Sequence, residues 1–383
     1  MKERIHSIDI VRGLIMIIMT LDHVRDFLSP GPSPVNMQTT TVILFFTRWI
    51  THFCAPTFVF LSGASAFLAG QRRSKNELST FLLKRGLWLI LSDILIITFL
   101  FTFDPLYHTI VLEVLCAIGF GMIILAFMSR VQLPVIAASG LIIMFGHNLL
   151  DYVQVPPHTL IDSFTTVLLS AGASVIPLGG SRMLLELYAV IPWTGAMLLG
   201  YSFGTLYQAG FNSERRRKIL WVAGITLCGI FVVFRLINHY GDPAPWSVQR
   251  NAAHTLLSFL NATKQPPSLL YLSMTLGPVL IFLALAEKMK GWFAAVCEVY
   301  GNVPYFYFIL HLCFIRIINI ALILLQGIPM KSAEPLVWQA TGFGYPLWTV
   351  YMFWLLVVTT LYFPCKWYRT YKQTHKQWWL SYL

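Results

Sequence analysis

A histidine flanked by carboxylates closes the first apolar run of this chain, in Leu21-Asp22-His23-Val24-Arg25-Asp26. Histidine takes and returns a proton near neutral pH, so His23 reads as a general base. Asp26, one helical turn on, or Asp22 would orient its ring and stabilise its cation. A second set stands in Thr47-Arg48-Trp49-Ile50-Thr51-His52. Arg48 is suited to stabilising an oxyanion or clamping an acidic donor group. His52, four residues further and on the same helical face, is a substitute base. Arg12 precedes His23 by eleven residues, so on one helix the two share a face about 16 Å apart. With Lys84 and Arg85, Arg12 is placed to meet an anionic cofactor. No metal-ligand spacing, phosphate-cradling glycine loop or serine elbow accompanies these residues. A histidine-based group transfer is the chemistry left standing.

The elements that must position them belong to a membrane. Of 383 residues, 57% are hydrophobic and only 11% charged, well below the charged share of soluble domains. The net charge of +11 comes from short basic clusters between apolar runs, so it does not point to a nucleic-acid partner. Apolar stretches near 8–28, 42–69, 83–103, 107–128, 133–151, 183–206, 218–237, 269–287, 302–325 and 346–365 give an all-α, polytopic protein of about ten spanning helices in one domain. Placing the N-terminus inside puts eighteen loop Lys/Arg residues in the cytoplasm and four outside (Arg182, Arg250, Lys264 and Lys331), which sets both termini inside. A bacterial cytoplasmic membrane is the expected location, and the first segment is read as an uncleaved anchor. The segment 164–180, broken by Gly172, Pro177, Gly179 and Gly180, reads as re-entrant or interfacial, because a span there would invert every later loop. Outer loops are expected at 29–41, 152–182, 238–268 and 327–345. The six cysteines are expected to be free buried thiols, and Gly200-x-x-x-Gly204 suits close helix packing.

Topology converts these positions into depths. His23 and Arg48 fall at a similar level in the outer half of the membrane, and Glu113, Glu186, His311 and Arg316 map to the middle or outer half of other helices. Ionisable groups at one level on several helices suggest a polar cavity. Plainer readings stand beside this one. Asp9 and Arg12 at i,i+3 form an ion pair with Ser7 as cap, Arg25 and Asp26 snorkel at the interface, and His311 is a core histidine bonded to a backbone carbonyl. Trp246, Tyr240 and Lys264 in the outer loops suit stacking on a sugar ring, and interfacial anchoring explains the aromatics equally.

Several motifs together resemble one family. They are Arg4-Ile-His-Ser-Ile-Asp9-Ile-Val-Arg12-Gly13 with Leu21-Asp22-His23; Thr47 to Pro56 with Phe58-Val59-Phe60-Leu61-Ser62-Gly63; Lys264-Gln-Pro266-Pro267-Ser268-Leu-Leu-Tyr271; and Gly301-Asn-Val-Pro304 with His311. The combination is similar to bacterial relatives of heparan-α-glucosaminide N-acetyltransferase. The Arg12-x10-His23 spacing resembles the first-helix motif of the wider transmembrane acyltransferase superfamily. The resemblance implies acetyl-CoA or another acyl-CoA as cytoplasmic donor, without a metal. It implies a sugar or glycan acceptor outside, taken at an amine or a hydroxyl. It implies His23 as catalytic histidine and Arg12 as a support for CoA binding or for the site. The residues themselves add Asp22, Asp26, Arg48 and His52 to the catalytic group, Lys84 and Arg85 to the donor side with Arg12, and Glu113, Trp246, Lys264, Tyr271, His311 and Arg316 to the substrate side. Membrane lipid and a homodimer are the further partners expected. In the lysosomal branch the catalytic histidine lies between the first two helices, whereas residues 24–51 here contain none. The rival class is a transporter of a small polar or anionic solute that uses the same charges as a proton relay.

Overall fold

The computed structural model describes residues 5–29, 31, 33–153, 165–170, 174–328 and 342–381. Its centre is α1 (His6–Leu28), which buries residues on every side, among them Ile8, Ile10, Val11, Met16, Leu21 and Val24. α1 packs against α3 (Cys54–Gly70), α11 (Leu269–Ala286), α12 (Trp292–Gly301), α13 (Pro304–Leu325) and α14 (Leu347–Thr374). A helix enclosed by protein has no lipid-facing stripe, and this enclosure is how an apolar segment can carry so many charges.

Glycines set the spacing. A Cβ at Gly13 would lie 1.7 Å from the Cys297 carbonyl oxygen, and one at Gly301 would lie 1.9 Å from that of Asp9. The α1 and α12 backbones therefore touch. The same device joins α3 to α8 (Val190–Phe203), where a Cβ at Gly200 would sit 1.9 Å from the Phe60 carbonyl oxygen. Gly200 thus packs closely, as its motif suggested, and Gly204 faces the Phe67 side chain.

The remaining helices are α2 (Val42–Trp49), α4 (Lys75–Ser92), α5 (Thr98–Thr102), α6 (Val114–Met128), α7 (Leu133–Gly146), α9 (Ser213–Ile237) and α10 (Ala252–Leu260). A 3-10 turn, Ile50–Phe53, joins α2 to α3, and a π-helical turn, Asp93–Ile97, joins α4 to α5. Polar caps mark the starts: Ser74 and Glu77 form a capping box on α4, and Ser268 Oγ accepts the Tyr271 N–H on α11. The protein is mostly helical. Among the described residues, seven helical stretches are long and apolar enough to cross a membrane: Val42–Gly70, Lys75–Thr102, Leu133–Tyr152, Ser213–Ile237, Leu269–Ala286, Pro304–Leu325 and Leu347–Thr374. The other three expected spans correspond to the charged α1 and to the short α6 and α8, of 15 and 14 residues.

The all-α expectation needs one correction. A three-stranded sheet of order β1-β3-β2 is formed by β1 (Thr109–Leu112), β2 (Ser174–Gly179) and β3 (Arg182–Glu186). β1 runs parallel to β3, and β2 antiparallel to it. The expected spans 107–128 and 183–206 therefore each begin in a strand, and Glu113 and Glu186 are not helix-interior residues. The reason lies in Thr109-Ile110-Val111, a β-branched run. A short apolar run is ambiguous in periodicity, and its pairing partner comes much later in the chain. In the segment expected to be re-entrant, the described residues form a π-helical turn (Thr166–Ser170) beside α8 and the largely exposed β2. Residues 154–164 and 171–173, most of the 327–345 loop with Lys331, and the inner-side Lys2 and Arg4 lie outside the described residues.

Replacing Gly13 by Val should force the α1 and α12 backbones apart and destabilise the protein by about 3 kcal/mol or more. The Tm of purified protein in detergent should fall by several degrees. Gly229→Ala, where a new Cβ meets no atom within 4 Å, should hold or raise Tm.

Candidate active site

At the C-terminal end of α1, four charges close on one another. One oxygen of Asp22 lies 2.9 Å from Arg25 Nη2, and its other oxygen accepts from Arg48 Nη1. Arg25 also pairs with Asp26, and Arg48 Nη1 donates to Thr51 Oγ1 at 3.1 Å. Arg48 reaches this point because it lies at the end of α2, where the 3-10 turn that follows packs against α1. Two carboxylates against two guanidiniums leave the group neutral, which is what a sparsely solvated site requires.

The ring of His23 is held by a partner other than the neighbouring carboxylates. His23 Nδ1 lies 2.7 Å from His311 Nε2, with the ring centres 5.0 Å apart and the planes within 15°, so the two rings meet edge to edge. His311 is fully buried on α13 and its Nδ1 lies 2.8 Å from the Tyr307 carbonyl oxygen. The Tyr307 ring stacks on His311 in turn, at 5.2 Å and 9°. Phe101 and Phe308 stand edge-on to His23, at 6.0 and 6.1 Å. His311 is therefore the core histidine bonded to a carbonyl and also a member of the site. Asp22, one of the two carboxylates expected to orient this ring, is instead engaged by Arg25 and Arg48.

A second layer gathers beside Arg48. The Tyr271 hydroxyl donates to the His52 carbonyl oxygen at 2.8 Å, and the two rings meet edge to face at 5.4 Å. Trp193 packs on Tyr271 at 6.3 Å and on Tyr188 at 5.4 Å, and Lys264 Nζ sits 5.2 Å from the Tyr188 ring centre. Arg48, Asp22, Glu113 and Asp26 all act electrostatically on Lys264; burial, then Arg48, pulls its ammonium below the ordinary lysine range. Among the described residues, the buried His52 Nδ1 and Trp193 Nε1 have no hydrogen-bond partner. Buried polar atoms of that kind are suited to meeting a ligand. Tyr188, Trp193 and Tyr307 escaped the sequence reading; the only signal for Tyr307 was its position one turn before His311.

Other candidates make contacts elsewhere in the protein. Arg316 is fully buried, donates to Asn319 Oδ1 at 2.9 Å and to the Thr102 carbonyl at 3.2 Å, and lies over the Phe27 and Phe103 rings. It fastens the end of α5 to the end of α1. The Trp246 indole donates to the Arg235 carbonyl oxygen at 2.7 Å, so its polar edge is spent on the loop. Arg235 itself donates to the carbonyls of Phe259, Ala244, Ser258 and Asn261. Asp242 accepts from Thr263 and Ser268 and thereby fixes the stretch carrying Lys264. Glu113 caps α6 with help from Asp93, which accepts the Glu113 and Cys116 N–H groups at 2.8 Å each. Glu186 is buried at the end of β3.

At the other end of α1, Arg12 is shared three ways: with Asp9 at 3.2 Å, Ser65 Oγ at 3.0 Å and the Gly301 carbonyl at 3.3 Å. It ties α1, α3 and α12 together. On α4, Lys84 is exposed and Arg85 half-buried. Among the described residues no group of three or more His, Cys, Asp or Glu is placed to hold a metal ion.

The family model described as heparan-alpha-glucosaminide N-acetyltransferase, catalytic, matches residues 4–236. The chain belongs to this family. Membership makes it an acetyltransferase-type membrane enzyme. The stretch matched to the heparan-α-glucosaminide N-acetyltransferase model holds Arg12, Asp22, His23, Arg48, His52 and Glu113; Lys264, Tyr271 and His311 lie beyond it and complete the same cluster from the second part of the chain. A comparison with curated proteins found no match.

The Asp22–Arg48 pair can be tested by a double-mutant cycle. Asp22→Asn and Arg48→Met should each lower Tm, and the double variant should lose less than their sum. The coupling should be about 1–3 kcal/mol. Strict additivity in thermal denaturation would refute the pair.

Proposed function

We propose that the protein moves an acyl group, acetyl first among them, from cytoplasmic acyl-CoA to an amine or hydroxyl of a sugar on the far side of a bacterial cytoplasmic membrane. The charge bias of the loops supports ten spans with both termini inside. In that orientation Arg12 stands near the cytoplasm and His23 near the outer surface. The observation that carries the reading is a histidine, part-exposed and held by a second histidine, at the end of a central helix otherwise closed by protein.

In this mechanism the acceptor oxygen or nitrogen attacks the thioester carbonyl carbon. His23 takes its proton, the C–S bond breaks, and the proton passes on to the departing CoA sulfur. Arg48 and Lys264 supply positive charge where the oxyanion develops, with Asp22 holding the Arg48 guanidinium. Tyr271, Trp193 and Tyr188 form an aromatic wall of the kind that suits a sugar ring. Lys84 and Arg85 offer charge to the CoA phosphates, while Arg12 keeps the entrance helices together. An acyl-histidine route would use the same ring of His23 as nucleophile. Labelling with radioactive acetyl-CoA in the absence of acceptor, quenched in denaturant near neutral pH, separates the two, because only the covalent route leaves an acid-labile label on the protein.

Acetyl-CoA at 100 times its Kd should stabilise the wild type by about 2.7 kcal/mol, read as a rise in Tm. His23→Ala should keep that rise and lose about 100-fold or more of acetyl transfer. If neither acetyl-CoA nor CoA raises Tm and His23→Ala instead abolishes solute flux in liposomes, the protein is a transporter and the reading fails.

A further inference from the structure

Two hydrogen bonds decide which nitrogen of His23 is free. A backbone carbonyl only accepts, so His311 Nδ1, 2.8 Å from the Tyr307 carbonyl oxygen, must carry hydrogen. The His311 ring is fully buried, and the groups that act on it are His23 and the backbone of Tyr307 and Phe308. A ring enclosed this way, with no counter-ion against it among the described residues, is neutral. It therefore has one N–H, and its Nε2 is a lone pair. His23 Nδ1 lies 2.7 Å from that lone pair, so His23 Nδ1 is the donor. A neutral His23 then has its own lone pair on Nε2.

We propose that His311 is a positioning residue that locks His23 in the Nδ1–H tautomer, so that Nε2 of His23 is the nitrogen that receives the acceptor's proton. The inference rests on His23 being the base of acyl transfer. A carboxylate does this work in hydrolytic triads; here Asp22 is occupied by Arg25 and Arg48, and a neutral ring takes the place. The lock is anchored at its far end. Tyr307 sits one turn before His311 on α13, its hydroxyl shares a hydrogen bond of 2.5 Å with Thr20 Oγ1 on α1, and Thr20 donates to the Met16 carbonyl at 3.1 Å. That bond ties α13 to α1 one turn away from His23, fixing the register of the two rings. When His23 is protonated, the hydrogen between the rings lies between two nitrogens of one chemical type, so the cation spreads over both.

The charged groups that face His23 are Asp22, Asp26, Lys264 and Arg48, and all remain in place when His311 alone is changed. His311→Leu removes the acceptor for Nδ1–H and should lower kcat about 100-fold or more, while acetyl-CoA still raises Tm. His311→Gln, whose amide oxygen can accept the same hydrogen, should recover most of that loss. Nitrogen NMR of the histidine-labelled wild type should show His23 with a protonated Nδ1 and an unprotonated Nε2. His311→Leu should show both tautomers, and His311→Gln the wild-type pattern. A protonated Nε2 on neutral wild-type His23, or wild-type kcat in His311→Leu, overturns the proposal. Should His311→Leu fail to fold, the wild-type spectrum and the His311→Gln rate still decide it. Full transfer activity in His23→Ala would instead overturn the acyl-transfer role of His23 and leave the tautomer assignment to the spectrum.

Discussion

Everything in this structure follows from enclosing one charged helix. α1 carries Asp9, Arg12, Asp22, His23, Arg25 and Asp26 within 23 residues, and such a segment is tolerable in a membrane only where neighbours answer each charge. The answers come from α2, α3, α12 and α13. Arg48 closes on Asp22, Ser65 and the Gly301 carbonyl on Arg12, and His311 on His23. The cost of burying these groups is offset only while all partners are present. Site assembly and bundle assembly are therefore one event.

Arginine plays two parts here. Arg48 and Arg25 are paired with carboxylates at the site, whereas Arg235 donates to four main-chain carbonyls and Arg316 to Asn319 and the Thr102 carbonyl. The planar, many-donor guanidinium suits the second use as well as the first. An arginine in an apolar segment is thus as good a sign of a brace as of a binding site. The partner decides, and the partner is a fact of tertiary structure.

That limit describes what the sequence made legible. The helices and the anomaly of α1 were readable because they depend on local pattern, although Ser7, expected as the α1 cap, lies inside the helix, whose N-cap is Ile5. So was the nearness of Arg48 and His52, four residues apart. The pairing of His23 with His311 spans 288 residues, and no local rule gives the rotational register of α1 against α13. Parallel pairing of β1 with β3 was hidden for the same reason. Trp246 and Arg316 stood out as chemical side chains; that one bonds the Arg235 carbonyl and the other Asn319 and the Thr102 carbonyl is visible only in the coordinates. The region past residue 236 lies outside the family match, and it still supplies Lys264, Tyr271 and His311 to the cluster.

The contact of Gly13 with Cys297, and of Gly301 with Asp9, has a mechanical meaning. Where two helices meet main chain to main chain, neither can roll or slide without first separating, since no flexible side chains lie between them to absorb the displacement. α1 is in effect a fixed rail clamped near Arg12. A cycle that rocked this helix from one side to the other would have to break that clamp on every turnover. The economical design is one in which the rail stays still and the reactants travel along it.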